Sequence, residues 1–477
     1  MEMKTLKFNS LLAVLFLISL MNFGPVEAKM TKFKPKVNGS SSAEMLAILT
    51  KAKINPEHVS LQILDDTAEV FSLNASAKKI PASISKLFTT FGIVKKLSVG
   101  HRFYTRLFSD GKNLYLVGGG DPSFVSENLW FLVNEFSRSG IKTIKGNLIV
   151  DDSLFDKIRY DESRESTRVD RAYDAPVGAM SFNWNSVNVF VKPAKKEGDK
   201  ALITIDPESG FFELVNNTRT VATGTKDISE LTVAISSAKK VITVGGEVRA
   251  GENEKAIYKN VAEPDLWAAK NLVYFLKQRG ITVEGQIENG KVPADAELLA
   301  SYESKSLGYI MADMNKFSNN FVAEMLVKDL AAQEIKSGAT LKRGVDIIRE
   351  ELAKIGLSRS EVVFQNPSGL TRENLFSAAA LNTALTEIKK DFSVYPIFLN
   401  GLPIAGVDGT LKKRMKNTMA EGWVRAKTGY LDGVVSLAGY AGKRDGTVLT
   451  FTFLYNGPRD ESIVREAFDQ LLINSLK

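Results

Sequence analysis

The chain is 477 residues long, with 44% apolar and 25% charged residues, a formal net charge of +7, two histidines and no cysteine. That length suits two or three domains with ample core, and the composition is that of an ordinary globular protein, not a disordered one. The missing cysteine excludes disulfides, a thiol nucleophile, cysteine metal sites and a lipoprotein anchor. With only His58 and His101 available, a histidine-based triad or metal cluster has almost no material to use.

The first residues read as an export signal. Lys4 and Lys7 give a positive start, Leu11 to Met21 is apolar apart from Ser19, Gly24-Pro25 breaks the helix, and Val26-Glu27-Ala28 suits a cleavage site. The apolar run is too short for a bilayer core of about 30 Å. Residues 1–28 are therefore expected to be a signal peptide, leaving an exported, periplasmic chain with no integral span. In such a protein the positive charge suits an anionic wall polymer or a peripheral membrane contact better than nucleic acid, although an excess of this size is ordinarily a solvated surface.

Residues 29–42, basic and then Gly39-Ser40-Ser41-Ser42, read as a flexible leader, and Ala43 to Ile54 as a short helix. Val59, Leu61 and Ile63 alternate with polar residues, Asp65-Asp66 turns the chain, and Glu69 to Leu73 returns, which predicts two paired strands. Pro81-Ala82-Ser83 opens a helical run through Leu87, Phe88, Phe91, Val94 and Leu97, closed by Gly100. Residues 101–300 change texture. Short strands dominate (Leu114 to Val117, Leu148 to Val150, Val187 to Val191, Ala201 to Ile205, Val241 to Val248), with a helix over Pro264 to Arg279 and a strand over Ile281 to Ile287. Helical periodicity resumes from Leu307. The end is three strands, Gly422 to Thr428, Val434 to Ala441 and Thr447 to Tyr455, followed by a helix over Glu461 to Leu476. The two early and three late strands can share one antiparallel sheet flanked by helices, with the middle of the chain inserted into that domain.

Three short motifs occur in order: Ser83-Ile84-Ser85-Lys86 (S-x-x-K), Ser318-Asn319-Asn320 (S-x-N) and Lys427-Thr428-Gly429 (K-T-G). Singly the first two are weak, since S-x-x-K also occurs at Ser76/Lys79 and S-x-N at Ser72/Asn74, among others; only K-T-G is unique here. Placement carries more weight. Ser83 falls in the first turn of a helix, where free backbone N–H groups face any approaching group. Lys86 follows three residues later on the same face, with Cβ atoms about 5–6 Å apart, so its amine can reach the hydroxyl. To act as a base it must lose a proton ordinarily held up to a pKa of about 10.4. Burial and a second cation, for which Lys427 is the candidate, can lower it.

Longer stretches carry a family resemblance. Pro81-Ala82-Ser83-Ile84-Ser85-Lys86, Val117-Gly118-Gly119-Gly120-Asp121-Pro122, Met314 to Asn320, Asn366 to Arg372, Leu402 to Leu411 and Lys427 to Tyr440 together resemble the class C low-molecular-mass penicillin-binding proteins, the D-alanyl-D-alanine carboxypeptidase/endopeptidase family. Two departures are visible: Asn319 stands where the family usually has Asp, and Asn366-Pro367 where it has Asp-Gly. The resemblance implies an α+β, penicillin-binding transpeptidase-like (β-lactamase-like) domain, an antiparallel sheet flanked by helices, made of residues 43–100 and 301–477. A large, mainly β insertion of residues 101–300 would contain a small β subdomain at about 195–255.

It also implies a serine acyl-transfer mechanism on peptidoglycan stem peptides, cutting D-Ala-D-Ala ends, D-alanyl crosslinks or both, with β-lactams as acylating inhibitors. Ser83 would be the nucleophile, Lys86 its base and Ser318 a proton relay. Asn320 would orient the substrate amide, and the Lys427-Thr428-Gly429 strand would bind the terminal carboxylate. The backbone N–H groups of Ser83 and Tyr430 would form the oxyanion hole. Arg372 would line the cleft or serve as a structural loop arginine. No metal or other cofactor is implied. Two rivals share the motifs, a serine β-lactamase and a non-catalytic wall-binding protein on the same scaffold. The long insertion, the absence of an obvious deacylating Glu, and the intact Ser83, Lys86, Ser318 and Lys427 weigh against them.

Overall fold

The computed structural model describes residues 39–477 except 168, with the backbone alone at 39–41 and 165–167. The signal segment 1–28 and most of the 29–42 leader lie outside the described residues; the first helix, Gly39–Lys51, begins inside the segment read as leader.

A five-stranded sheet organises the two ends of the chain. Its order is Val424–Leu431, Val434–Gly442, Val448–Asn456, Val59–Asp65, Ala68–Leu73, and every neighbouring pair is antiparallel. The early and late strands thus form one sheet, with Val59 opposite Tyr455 and Asp65 opposite Leu449. Period-two alternation assigns the faces. Phe451, Phe453 and Tyr455 join a core with Leu61, Ile63, Phe468 and Leu472, under the helices Gly39–Lys51 and Glu461–Ser475. Leu454, Ala438 and Tyr440 face the opposite core, built with the helices Ser85–Val94, Asn320–Ala332, Leu341–Lys354 and Ala378–Lys390. Thr452 on that face donates its hydroxyl to Asn382, and Tyr440 donates to the Leu385 carbonyl, so these buried polar atoms between sheet and helices are paired.

A further core is made only of residues between Leu107 and Ala300. It contains a mixed sheet ordered Ile287–Asn289, Leu148–Asp151, Leu114–Val117, Tyr104–Ser109, Glu297–Glu303, and two three-stranded sheets. Here the molecule departs from the pattern of its sequence. The strand expected over Ile281 to Ile287 is two short pieces, Thr282–Val283 and Ile287–Asn289. Gly285 separates them, where a Cβ would lie 2.4 Å from the Gly146 carbonyl oxygen. A helix, Ser126–Ser137, has no counterpart among the expected elements, because Trp130 and Phe131 lie on its exposed side and blur the apolar stripe. The helix after Ser83 is also shorter than its apolar pattern, ending at Val94.

Among the described residues no helix is long and apolar enough to cross a membrane. The edge strand Val424–Leu431 packs against the turn that carries Ser83, and this contact positions the site.

Candidate active site

Ser83 sits in a single 3-10 turn, Ala82–Ile84, that runs directly into the helix Ser85–Val94. The turn is held tightly. Ala82 has φ of 51°, a left-handed conformation unusual for a residue with a Cβ. Two neighbours brace it: Ser436 donates its hydroxyl to the Pro81 carbonyl at 2.6 Å, and Gly369 approaches so closely that a Cβ would lie 2.0 Å from the Ala82 oxygen. Strain of this kind persists only where surrounding contacts over-determine it.

Lys86 is fully buried one turn further on. Its Nζ donates to Ser83 Oγ at 3.1 Å, to Asn320 Oδ1 at 2.7 Å and to the Ser368 carbonyl at 2.6 Å. Ser318 lies between the helices Leu307–Lys316 and Asn320–Ala332 with φ of 56°. Asn319 caps the second helix by accepting from the Val322 N–H at 3.1 Å. Asp and Asn cap about equally well, which gives a physical reason why Asn319 can stand in the usual Asp position. Asn320, the first helical residue, accepts from Lys86 and donates through Nδ2 to the Tyr173 carbonyl at 3.0 Å.

Lys427, also fully buried, donates from Nζ to Ser318 Oγ and to the Thr428 carbonyl, both at 2.8 Å. The Thr428 hydroxyl donates to Thr410 Oγ1 at 2.8 Å. At Gly429 a Cβ would lie 2.1 Å from Ser436 Oγ, 2.7 Å from the Pro81 oxygen and 3.1 Å from the Ser83 nitrogen. The strand can touch the serine turn only because residue 429 has no side chain. Tyr430 follows with its side chain exposed, the Arg465 guanidinium 5.8 Å from its ring.

The sequence-predicted residues therefore gather as one linked group. Ser83, Lys86 and Asn320 share one amine, Ser318 joins Lys427, and Thr428, Gly429 and Tyr430 extend along the adjoining strand. Arg372 stands apart, exposed, donating to the Asp432 carbonyl at 2.6 Å just past the end of that strand. The two histidines pack elsewhere, His58 against Tyr455 and His101 against Phe103. Asp152 pairs with Arg159, and Asp151 accepts from the backbone N–H groups of Ser153 and Val292.

Electrostatics act in the direction base chemistry requires. Burial, and after it the charge of Lys427, holds the Lys86 amine well below the ordinary lysine range. Burial alone brings Lys427 down to about 7. Some contributors carried no motif. The Ser368 carbonyl is a backbone acceptor without a residue signature. Glu324 lies four residues after Asn320 on one helix and accepts from Asn366 Nδ2 at 3.2 Å, with the Ser368 hydroxyl 3.1 Å away. That i, i+4 spacing was the available sequence signal.

Known structures with this fold include penicillin binding protein 4 (dacB) from Haemophilus influenzae, at a TM-score of 0.78 and 24% identity over 91% of this chain and 99% of that one. A peptidoglycan endopeptidase from Bdellovibrio bacteriovorus aligns at a TM-score of 0.53 and 17% identity, over 87% of this chain and 92% of that one. The fold is thus that of the penicillin-binding proteins. The profile of the D-Ala-D-Ala carboxypeptidase 3 (S13) family matches residues 42–475. The D-alanyl-D-alanine carboxypeptidase of Actinomadura sp. is 33% identical over 424 residues, 84% of this chain and 78% of that protein. DacB of Haemophilus influenzae is 26% identical over 400 residues, 80% of this chain and 82% of that protein. The chain belongs to the D-Ala-D-Ala carboxypeptidase 3 (S13) family.

The close approach at residue 429 is directly testable. Gly429→Ala is expected to keep the wild-type circular dichroism spectrum while slowing covalent labelling of Ser83 by an acylating probe by about 100-fold, the loss typical of a displaced oxyanion donor. Wild-type labelling kinetics in this variant would show that the strand does not need to touch the serine turn.

Proposed function

We propose that this enzyme hydrolyses D-alanyl peptide bonds of peptidoglycan stem peptides through an acyl-enzyme on Ser83, at D-Ala-D-Ala ends and at D-alanyl crosslinks, and that β-lactams acylate the same serine. The observation that carries this reading is the 3.1 Å bond between the fully buried Lys86 amine and Ser83 Oγ. Neutral Lys86 takes the proton as Ser83 Oγ bonds to the carbonyl carbon of the penultimate D-alanine. The resulting oxyanion is held by the Ser83 and Tyr430 N–H groups. On collapse the C–N bond breaks, and the proton taken up by Lys86 passes to the leaving amine through Ser318, whose Oγ accepts from Lys427 Nζ at 2.8 Å, so that Lys86 is neutral again. Water then adds to the ester as neutral Lys86 takes its proton; on collapse the bond between the acyl carbon and Ser83 Oγ breaks, and Lys86 returns that proton to Ser83.

Lys427 and Thr428 grip the substrate carboxylate, and Asn320 orients both the substrate amide and Lys86. Arg372 borders the cleft and braces its edge through the bond to the Asp432 carbonyl.

We infer that residues 1–28 direct export to the periplasm and are removed after Ala28; intact-mass measurement of the exported protein should give a chain starting at Lys29, and a retained N-terminus would refute this. Residues 101–300 are inferred to be an inserted module, including a small β subdomain at about 195–255. Supporting this is a core drawn only from residues between Leu107 and Ala300, while Phe103, Phe155, Ala175, Val177 and Ala179 pack into the core of the flanking segments. Limited proteolysis of the whole protein should nick near 101 and 300 before cutting either core, and early cuts inside a core would contradict the division.

Ser83→Ala is expected to abolish labelling by a fluorescent penicillin and release of D-alanine, and equal labelling of variant and wild type would end the proposal. The pH profile carries a second check. Lys86 works only when neutral, so the rate rises with pH on the acid side. Lys427 grips a carboxylate only when charged, so kcat/KM for carboxylate-bearing substrates should fall as pH passes through about 7. An ester probe without the carboxylate should lack that alkaline fall; the same fall with both probes would contradict the role of Lys427.

A further inference from the structure

Behind the Lys86 amine lies a second layer of polar groups. Glu324 is buried, as are Asn366 and Ser368. Its Oε1 accepts from Asn366 Nδ2 at 3.2 Å and lies 3.1 Å from Ser368 Oγ, whose single proton it shares with Asn366 Oδ1 at 2.6 Å, and its Oε2 accepts from Arg164 at 3.2 Å. The carbonyl of that same Ser368 accepts from Lys86 Nζ at 2.6 Å. The turn is pinned on its other side as well: Asn366 Oδ1 accepts from the Ser368 and Gly369 N–H groups, both at 2.9 Å, and Asn374 donates to the Asn366 carbonyl at 2.7 Å. In a network buried this deeply, removing one partner strands the other, so each bond is costly to lose.

Among the described residues, three elements supply the charges facing Lys86. Lys427 comes from the edge strand, Glu324 from the helix Asn320–Ala332, and Arg164 from the segment Glu162–Thr167. Glu324 itself faces Arg164 and Asp161, and Asp174 lies 3.2 Å from the other side of the Arg164 guanidinium. Glu324 also lines a cavity of about 560 Å³ together with Asp161, Glu162, Lys328, Arg349 and Glu373.

We propose that Glu324 is a positioning residue for Lys86: its carboxylate holds the Asn366–Gly369 turn so that the Ser368 carbonyl is aimed at Nζ, and it fixes one negative charge behind that amine, balanced by Arg164. This rests on the assignment of Lys86 as the base. Two effects follow with different signatures. The mechanical one passes through the Asn366 side chain and the Ser368 hydroxyl, which together tie the turn to Glu324, and governs how well the amine is aligned with Ser83. The electrostatic one is a charge that favours protonated Lys86 and opposes the influence of Lys427 and Arg164. Removing that charge therefore lowers the pKa of Lys86, and the acid limb of the acylation profile moves to lower pH. Burial pushes the Glu324 carboxyl itself upward against the pull of Arg164, so the shift is read most clearly above the range in which Glu324 would take up a proton.

The test measures acylation rate by a chromogenic β-lactam against pH in the full protein and three variants, with melting temperature confirming folding. Glu324→Gln should move the acid limb down by about half a unit or more and slow maximal acylation about tenfold. Glu324→Asp keeps the charge and should return the limb to its wild-type position while leaving the rate reduced. Ser368→Ala keeps both the charge and the carbonyl, and should slow acylation about tenfold with the limb unmoved. If Glu324→Gln does not fold, the other two variants decide. Wild-type rates in Ser368→Ala and Glu324→Asp, or a folded Glu324→Gln with an unmoved limb, overturn the proposal and leave the Ser83–Lys86 assignment standing. A wild-type profile with no acid limb overturns both.

Discussion

The rest of this structure depends on keeping one lysine amine away from water and beside a hydroxyl. A buried ammonium is costly unless each of its protons finds an acceptor, and the neutral amine is favoured by the same burial. Lys86 has partners at Ser83, Asn320 and Ser368, two of them more than 230 residues away along the chain: the neutral amine donates to Asn320 Oδ1 and the Ser368 carbonyl and is left free to accept from the Ser83 hydroxyl. The fold must bring residues 83, 320 and 368 to one point and hold Lys427 close enough to add its charge. A sheet that pairs strands from both ends of the chain does this. The Val59–Asp65 strand beside Val448–Asn456 fixes the early segment against the late one, so the Ser83 turn meets the edge strand carrying Lys427.

Such convergence leaves marks on the backbone. Ala82 and Ser318 both adopt left-handed conformations, and Gly369 and Gly429 occupy places where a Cβ would strike the Ser83 turn. These positions surround the same small volume. The unfavourable conformations are sustained by well-paired neighbours: the Pro81 carbonyl with Ser436, the Asn366 turn with Asn374 and Glu324, and Asn320 with Tyr173. In the proposed mechanism this rigidity has a chemical use, because proton transfer between Ser83 and Lys86 requires alignment that a mobile loop would not keep.

Much of this was legible in the sequence, for reasons that differ by element. The five strands of the main sheet alternate or run continuously apolar between clear turns, so their positions could be read to within a few residues. Lys427-Thr428-Gly429 announced itself through uniqueness, and Ser83-Ile84-Ser85-Lys86 through the apolar helix that follows. What could not be read was any contact made by a backbone atom, such as the Ser368 carbonyl, or by a charge inside a fully buried helix. Asn320–Ala332 carries Glu324, Lys328 and Asp329, which suggest a solvent face, yet every residue of this helix is buried. Lys328 pairs instead with Asp156, and Glu324 with Arg164, both partners coming from the distant segment 156–164. Periodicity cannot reveal partners supplied by remote parts of the chain, and Ser126–Ser137 escaped because two of its aromatic residues face outward.

The most direct test of the account is the titration of Lys86 itself, followed by NMR of protein carrying labelled lysine side chains, with Lys86→Arg used to assign its signal. The account predicts that Lys86 loses its proton well below the ordinary lysine value of about 10.4, and that its pKa rises when Lys427 is replaced by Met. A Lys86 signal that titrates at the ordinary value and ignores the charge at 427 would contradict it.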